Sequence, residues 1–377
     1  MIVKSGKGLK QTKTTASTLT QLKVWVLAPF LETDDSQIKH YYDFTQNKKE
    51  FSKAFDELNV EWEWQPVTMQ DYKEVIASIR KRSKGKNPVV FNLCDGDEVN
   101  GTPGISVIRE LRKHKLIYTG SEIKFYDITT SKVPMKKAFD RVGVLNANWE
   151  ILNGNERAMM GICQRIGTPI IIKPAVSGGS MGVSLKNVVH TDEELIERVK
   201  ELKEGFHGWN LLADGLIAEQ FIRGREYTTL IVGSYQTPEE CIIYPPVERV
   251  FHPSLPEDEK FLSFDRLWDI YEEESVMPDD ADFYDYYKPD PSLVPAIEKL
   301  SLDAFVAVKG TGYGRVDIRM DNETGKLYML EVNAQCGLSE DEDYTSIGAI
   351  LRYSGKSFAQ LVQEIINDAF QRRGLMP

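Results

Sequence analysis

"GYGRVDIRMDNETGKLYMLEVNA", residues 312–334, decides how this chain is read. Two apolar-rich runs flank Asn322–Gly325, a turn signal, so a β-hairpin is expected. Arg315 and Asp317 stand two apart and project from one face of the first strand; Glu331 and Asn333 do the same on the second. Folding back brings Asp317 to within about one residue of Glu331. Carboxylate and amide oxygens without histidine or thiol are hard ligands, and they suit Mg²⁺. A solvated sheet face with cross-strand pairs is the plainer alternative. Against it, Glu331 and Asn333 lie in an apolar run, "YMLEVN", where an unpaired carboxylate is costly.

Upstream, "PIIIKPAVSGGSMGVSL" (169–185) reads as a buried β-branched strand that ends in a cation, Lys173, and a loop of small residues. Gly178, Gly179 and Gly182 let backbone N–H groups approach phosphate oxygens closely. A metal site and a phosphate cradle together point to a nucleoside triphosphate. The chain is not a P-loop protein, because the nearest match, Gly355-Lys356-Ser357, has Ile350 where the first glycine belongs. It also lacks the protein-kinase signature set.

The chain is 377 residues long, enough for two or three packed layers, and its net charge of −11 disfavours nucleic-acid backbones and anionic membranes. Neither nucleic acid nor membrane is expected as a partner. Four unclustered cysteines, Cys94, Cys163, Cys241 and Cys336, fit a reducing compartment, and no C-x-x-C pair suggests zinc. No apolar run reaches the roughly 18 residues of a membrane span. Residues 1–21 carry Lys, Thr and Ser but no acid, and are expected to be a disordered tail. Organelle targeting is the sharper alternative, with the lack of arginine against it; a cytoplasmic location is the expectation.

Strand and helix signals alternate from 22 to 121: strands at 22–30, 60–67, 88–96 and 117–121, and helices within 36–58, at 71–84 with Asp71 as cap, and at 104–116. That order is an open parallel α/β layer. From 132 to 226 come a helix, a strand-hairpin and further helices, a small α+β unit. From 227 to 377 come strands, an acidic loop (257–290), a helix near 295–309, the hairpin and a C-terminal helix over about 357–372. The fold class is therefore α/β, with α+β in the central unit.

"PIIIKPAVSGGSMGVS", "LIAEQFIRGREYT", "GYGRVDIRMD" and "LYMLEVNAQCG" follow one another in an order and spacing that resembles the ATP-grasp superfamily. "VFNLCDGDEVNGTPG" before "YTGS", "TSKVPMKKAF" and "DFYDYYKP" make the chain similar to its D-alanine–D-alanine ligase branch over about residues 22–372. The resemblance implies a three-domain ATP-grasp architecture with an N-terminal open parallel sheet. The units would be an α/β substrate domain (22–131), a central ATP-grasp subdomain (132–226) and a C-terminal ATP-grasp and metal domain (227–377).

It also implies roles. Lys132 and Lys173 would grip the α- and β-phosphates and the adenine side. Ser177, Gly178, Gly179 and Ser180 belong to the loop that closes over the phosphates. Glu219 begins the adenine segment and Glu226 holds the ribose hydroxyls. Asp317, Glu331 and Asn333 would bind two Mg²⁺ ions, with Mn²⁺ as a substitute. Arg315 and the Gly337 N–H would form an oxyanion site, and Lys288, in a mobile loop over 282–290, would reach the γ-phosphate. The implied activity is ATP-dependent joining of a small-molecule carboxylate to an amine through an acyl phosphate, giving ADP, phosphate and a dipeptide or amino-acid conjugate, in a possible homodimer.

The chain departs from the branch where amino-acid substrates bind. Glu32 or Asp34 is a weak stand-in for a glutamate after the first strand, and Asp95 replaces the histidine of an "HG" motif. The motif's "PG-x-T" becomes "CGLS", with "EDEDY" (340–344) inserted before Ser346. Asp95, Glu98 and Ser346 are the candidate substrate contacts. Two acidic loops converging on one pocket would favour a basic substrate. The rival readings are a specialised-metabolism ligase using a non-amino-acid scaffold and a non-catalytic nucleotide-binding scaffold. Cys336 is expected to be a packed thiol rather than a nucleophile.

Overall fold

The computed structural model describes residues 21–31, 43–152, 155–206, 208–268, 274–278, 281–343 and 345–375. Most of the expected tail, together with Glu32 and Asp34, falls outside them.

The N-terminal unit is a four-stranded sheet in the order β2-β1-β3-β4, parallel throughout. Its elements are β1 (Leu22–Pro29), α1 (Thr45–Glu57), β2 (Glu61–Val67), α2 (Tyr72–Arg82), β3 (Asn87–Asn92), α3 (Ile105–Lys113) and β4 (Ile117–Tyr118). The central strand β1 is apolar because helices cover both faces, and "WEW" alternates on the edge strand β2. Asp71 precedes α2, but its carboxylate accepts from the Thr68 N–H and hydroxyl rather than from the helix.

Next come α4 (Ile123–Thr130), α5 (Lys132–Val142), β5 (Trp149–Leu152), α6 (Glu156–Met159), α7 (Ile162–Ile166), β6 (Ile170–Pro174), β7 (Val188–Val189), α8 (Asp192–Glu204) and β8 (Leu216–Gln220). The central sheet, β5-β8-β6-β7, is antiparallel. The return strand of the expected hairpin shrinks to Val188–Val189. A capping-box turn at Ser184–Asn187 takes up the apolar residues before it.

The third sheet runs β12-β11-β9-β13-β14, with β10 on β9. It holds β9 (Gly224–Ser234), β10 (Ile242–Ile243), β11 (Val247–Phe251), β12 (Tyr284–Tyr287), β13 (Thr311–Asp321) and β14 (Leu327–Ala334). The helices here are α9 (Phe264–Trp268), α10 (Val294–Ala307), α11 (Ser346–Ser354) and α12 (Phe358–Gln371). The strand β9 pairs with β13 from Gly224 onward, so this sheet begins before residue 227. Met135, Ala138 and Phe139 of α5 pack with Tyr227, Ile231, Val316 and Ile318, which places α5 on the third sheet rather than the central one.

One apolar core joins the outer units. Val24, Phe51 and Phe91 pack with Leu230, Tyr313, Ile347 and Phe358. The central unit has its own core around Ile170, Leu195, Trp209 and Phe264. The cleft between the central and third sheets holds the polar residues described next.

Candidate functional site

Alternation on β13 and β9 sorts the third sheet into two faces. Val316, Ile318, Tyr227 and Ile231 enter the core, while Arg315, Asp317, Arg319, Glu226 and Thr228 face the other way. On β14 the register shifts between Ile318↔Met329 and Asp317↔Glu331. Leu330 is the extra residue of this β-bulge, and it brings Glu331 directly opposite Asp317 and Asn333 opposite Arg315.

The four side chains form one bonded cluster. Arg315 donates to both Asp317 oxygens, from Nε at 3.1 Å and from Nη2 at 3.0 Å. The Thr228 hydroxyl donates to Asp317 at 2.7 Å. Asn333 Nδ2 donates to Asp317 Oδ2 at 2.9 Å and to Glu331 Oε1 at 3.1 Å. Burial alone would weaken the Arg315 guanidinium's hold on its proton, but the Asp317 carboxylate outweighs it and keeps the group firmly charged. Among the described residues no three His, Cys, Asp or Glu side chains gather as a metal site. Two carboxylates and an amide oxygen still meet the modest protein share that Mg²⁺ requires beside phosphate oxygens and water. For Asn333 to ligate through Oδ1, its amide must turn from the orientation seen here.

On the central sheet, Ile171 of β6 stands opposite Glu219 of β8, and Lys173 shares that face. Glu219 is clamped by two lysines, Lys136 Nζ at 2.8 Å and Lys173 Nζ at 3.1 Å. Burial would raise its carboxyl, but the pair of ammonium groups outweighs that and holds it at about 2. Lys136 was not among the expected residues. Its signal was present in "KVPMKK": it lies one helical turn after Lys132, on the same face of α5. Lys132 donates to the backbone and hydroxyl oxygens of Ser177, both at 3.1 Å. Burial pulls its ammonium down while Glu331 across the cleft acts to raise it. The two sheets therefore address one space.

Several expected contacts sit elsewhere. Glu226 is bonded to Arg249 and, at 3.3 Å, to Arg319. Both carboxylate oxygens thus have arginine partners. Ser180 has a positive φ of 59° and donates to the Leu262 carbonyl at 2.9 Å. Gly337 stands three residues beyond the end of β14, and a Cβ there would meet only the Thr345 methyl at 3.9 Å. Lys288 lies over the Tyr353 ring at 5.4 Å. The segment before it, expected to be a mobile loop, is β12, paired with β11 along Tyr284–Tyr287. Amide hydrogen exchange should therefore show protection within Tyr284–Tyr287 before any nucleotide is added; rapid exchange throughout that segment would restore the mobile lid.

Glu98 accepts from the Gly104 N–H at 3.2 Å and from the Ser106 N–H and hydroxyl at 2.6 and 2.8 Å, so it caps α3. Ser346 is buried in the first turn of α11. The acidic insertion is matched by surface cations, Glu340 by Lys53 at 2.8 Å and Glu342 by Arg352 at 2.6 Å. Two acidic loops converging on a basic substrate are thus not what the structure builds. Asp95 alone remains at the cleft. It stays exposed, but the protein crowded around it at Tyr126, Tyr313 and Cys336 displaces part of its hydration and raises its carboxyl to about 6. Burial also pushes the Cys336 thiol up to about 12, which leaves it inert as a nucleophile.

Gln335 was also missed. It adopts φ 55° at the end of β14, and its Nε2 donates to the Cys94 carbonyl at 2.7 Å. Its Oε1 accepts from the Ser121 N–H at 3.2 Å, tying the metal-candidate strand to the N-terminal unit. Gly120 permits this approach, since a Cβ there would stand 2.4 Å from Gln335 Oε1.

Three sheets arranged around a cleft of lysines, carboxylates and a glycine-rich loop define an ATP-grasp enzyme. Residues 139–367 match the family model described as D-ala D-ala ligase C-terminus. The D-alanine–D-alanine ligase B of Xanthomonas campestris pv. campestris is 27% identical over 281 residues, covering 74% of this chain and 76% of that protein. The D-alanine–D-alanine ligase of Pseudoalteromonas atlantica is 26% identical over 267 residues, covering 69% and 71%. The crystal structure of the Bacillus anthracis enzyme has a TM-score of 0.64 at 18% identity, over 94% of this chain and 99% of that one. Its complex with ATP has a TM-score of 0.62 at 17% identity, over 93% and 98%. The chain belongs to the D-alanine–D-alanine ligase family, and it is an ATP-dependent, amide-forming ligase.

Among the described residues no helix is long and apolar enough to cross a membrane.

Proposed function

We propose that this chain activates a small carboxylate as an acyl phosphate and joins it to the amine of an amino-acid-like substrate. The observation that carries this reading is the cross-strand cluster of Asp317, Glu331 and Asn333 with Arg315 beside it. A carboxylate is a poor electrophile because oxide cannot leave. Transfer of the γ-phosphoryl group of ATP to it releases ADP and creates a phosphate leaving group. The amine then attacks through a tetrahedral oxyanion, and phosphate departs.

Asp317, Glu331 and Asn333 are the residues that would hold Mg²⁺. Bound there, the ion would neutralise charge on the phosphates. Arg315 supplies a fixed cation at the developing oxyanion, a contribution of about 3–4 kcal/mol in comparable sites. Lys132, at the start of α5, and Lys173, on the central sheet, would face the phosphates. D-alanine, named for the relatives, is the first candidate for both substrates. The test is ADP release over paired amino acids, D-alanine first, with mass spectrometry of the products. If no acid raises ADP release above the ATP-only background, the ligase reading of this site is wrong.

Asp95 sets a pH expectation. Its ordinary value of 3.8 rises to about 6, so its negative charge is lost as pH falls through 6. We assign it to the ammonium group of a substrate. kcat/KM for the amine should therefore fall below pH 6, by up to about tenfold per pH unit, and Asp95→Asn should flatten that limb. An unchanged limb in Asp95→Asn would release Asp95 from substrate binding.

A further inference from the structure

The hairpin β11–β12 carries a long insertion, and its described part does not hang free. Residues 255–268 are fastened to both the central and the third sheet units. On the central side, Leu262 accepts from Ser180 Oγ at 2.9 Å, and Trp268 Nε1 donates to the Gly179 carbonyl at 2.9 Å. The Phe264 N–H donates to the Val183 carbonyl at 2.8 Å, and the Phe264 ring is buried in the central core, 5.4 Å from Trp209. Opposite, Lys260 accepts from Arg319, and Asp258 pairs with Arg223 at 2.8 Å.

The place where Phe261 lands makes the insertion more than a brace. Its ring is buried against Ile171, Val183 and Phe221, with the Phe221 centroid 5.7 Å away. Ile171 shares its sheet face with Lys173 and Glu219, so Phe261 lies on the nucleotide side of the central sheet. From the third sheet, Arg319 reaches the same spot, 4.8 Å over the Phe221 ring, and it projects on the side of Asp317. The insertion thus closes an apolar slot that lies between the phosphate lysines and Glu226. A nucleotide base is flat and apolar-faced, and such a slot is the part of the cleft that suits it.

We propose that residues 255–268 are a clasp over the nucleotide site: Phe261 shuts the base slot, Trp268 holds the glycine-rich loop, and a nucleotide enters or leaves only when the clasp lifts. Phe261 and Trp268 are then positioning residues for that loop and set exchange rates ahead of chemistry. This rests on reading the cleft as the ATP site. Lifting the clasp breaks several hydrogen bonds and exposes two aromatic rings, a local opening of the kind that limits ligand exchange.

The experiment is stopped-flow binding and release of a fluorescent ATP analogue, with steady-state ADP release measured in parallel. The proteins are wild type, Phe261→Ala with Trp268→Phe, and a second variant with residues 254–281 replaced by a short Gly-Ser turn. Circular dichroism checks each fold. Expected are association and release each faster by at least about tenfold, the equivalent of two net hydrogen bonds lost. Because both rates rise together, KM for ATP should stay near its wild-type value or fall. Unchanged rates in both variants overturn the clasp, as does loss of analogue binding in the variants alone, which would make these rings part of the site rather than its gate. If wild type and variants alike bind no analogue, the ATP-site reading itself falls.

Discussion

Glu331→Gln is expected to lower ADP release at least about 100-fold with the fold retained, a loss of about 3 kcal/mol of transition-state stabilisation. The amide keeps the shape of the carboxylate, and its Oε1 can still accept from Asn333 Nδ2 as Glu331 does at 3.1 Å. Packing on β14 is therefore undisturbed. What is lost is a formal charge directly opposite Asp317. With one carboxylate instead of two, the cluster holds a divalent cation poorly and cannot balance the charge of the transferring phosphoryl group. The measurement is ADP release at saturating ATP and Mg²⁺, with circular dichroism as the fold control. A variant as active as wild type would remove the metal assignment from this hairpin.

Lys136→Met is expected to destabilise the protein by about 3 kcal/mol, the lower end for breaking a buried ion pair. Lys136 and Glu219 are both almost fully buried, with side chains 1% and 2% exposed, so neither can turn to water when its partner goes. Lys173 remains beside Glu219 at 3.1 Å, which keeps the loss from being larger. The pH dependence has a definite sign. The Glu219 carboxyl is held below its ordinary value of 4.5, at about 2, so the ion pairs stabilise the fold fully above 4.5. That contribution fades as pH falls toward 2. Denaturant unfolding between pH 7 and 3 should show a steep acid loss in wild type and a shallower one in Lys136→Met. Equal slopes would mean that Glu219 does not carry the linkage.

The hairpin and the glycine-rich loop were legible because their signals are local. Turn residues at Asn322–Gly325 and alternation on each side predict the two strands, and β-branched residues before Lys173 predict β6. The oxygen-only ligand set follows from residue type alone. Contacts made over long sequence separation were not legible. Glu98 reads as a pocket acid until α3 is seen to begin at its carboxylate. Glu340 and Glu342 read as substrate-facing until Lys53 and Arg352 are seen beside them. Nothing in the acidic loop 257–290 signals that Phe261 and Phe264 are buried in two different cores.

The sequence by itself determined the strand and helix order, the class of ligands on the hairpin, and through its motifs the family. Only the tertiary structure decided which of those residues meet. A regular hairpin continuing the Met320↔Leu327 register would set Asp317 against Leu330. The bulge at Leu330 moves Glu331 into that place, beside the point where the Met329 N–H bonds the Leu145 carbonyl from another part of the chain. Likewise Lys136 becomes a partner of Glu219 only because α5 packs on one sheet while its ammonium reaches the other. Local propensity sets what a segment is. The pairing of distant segments is chosen by burial and hydrogen-bond satisfaction summed over the whole chain, and no short stretch carries that sum.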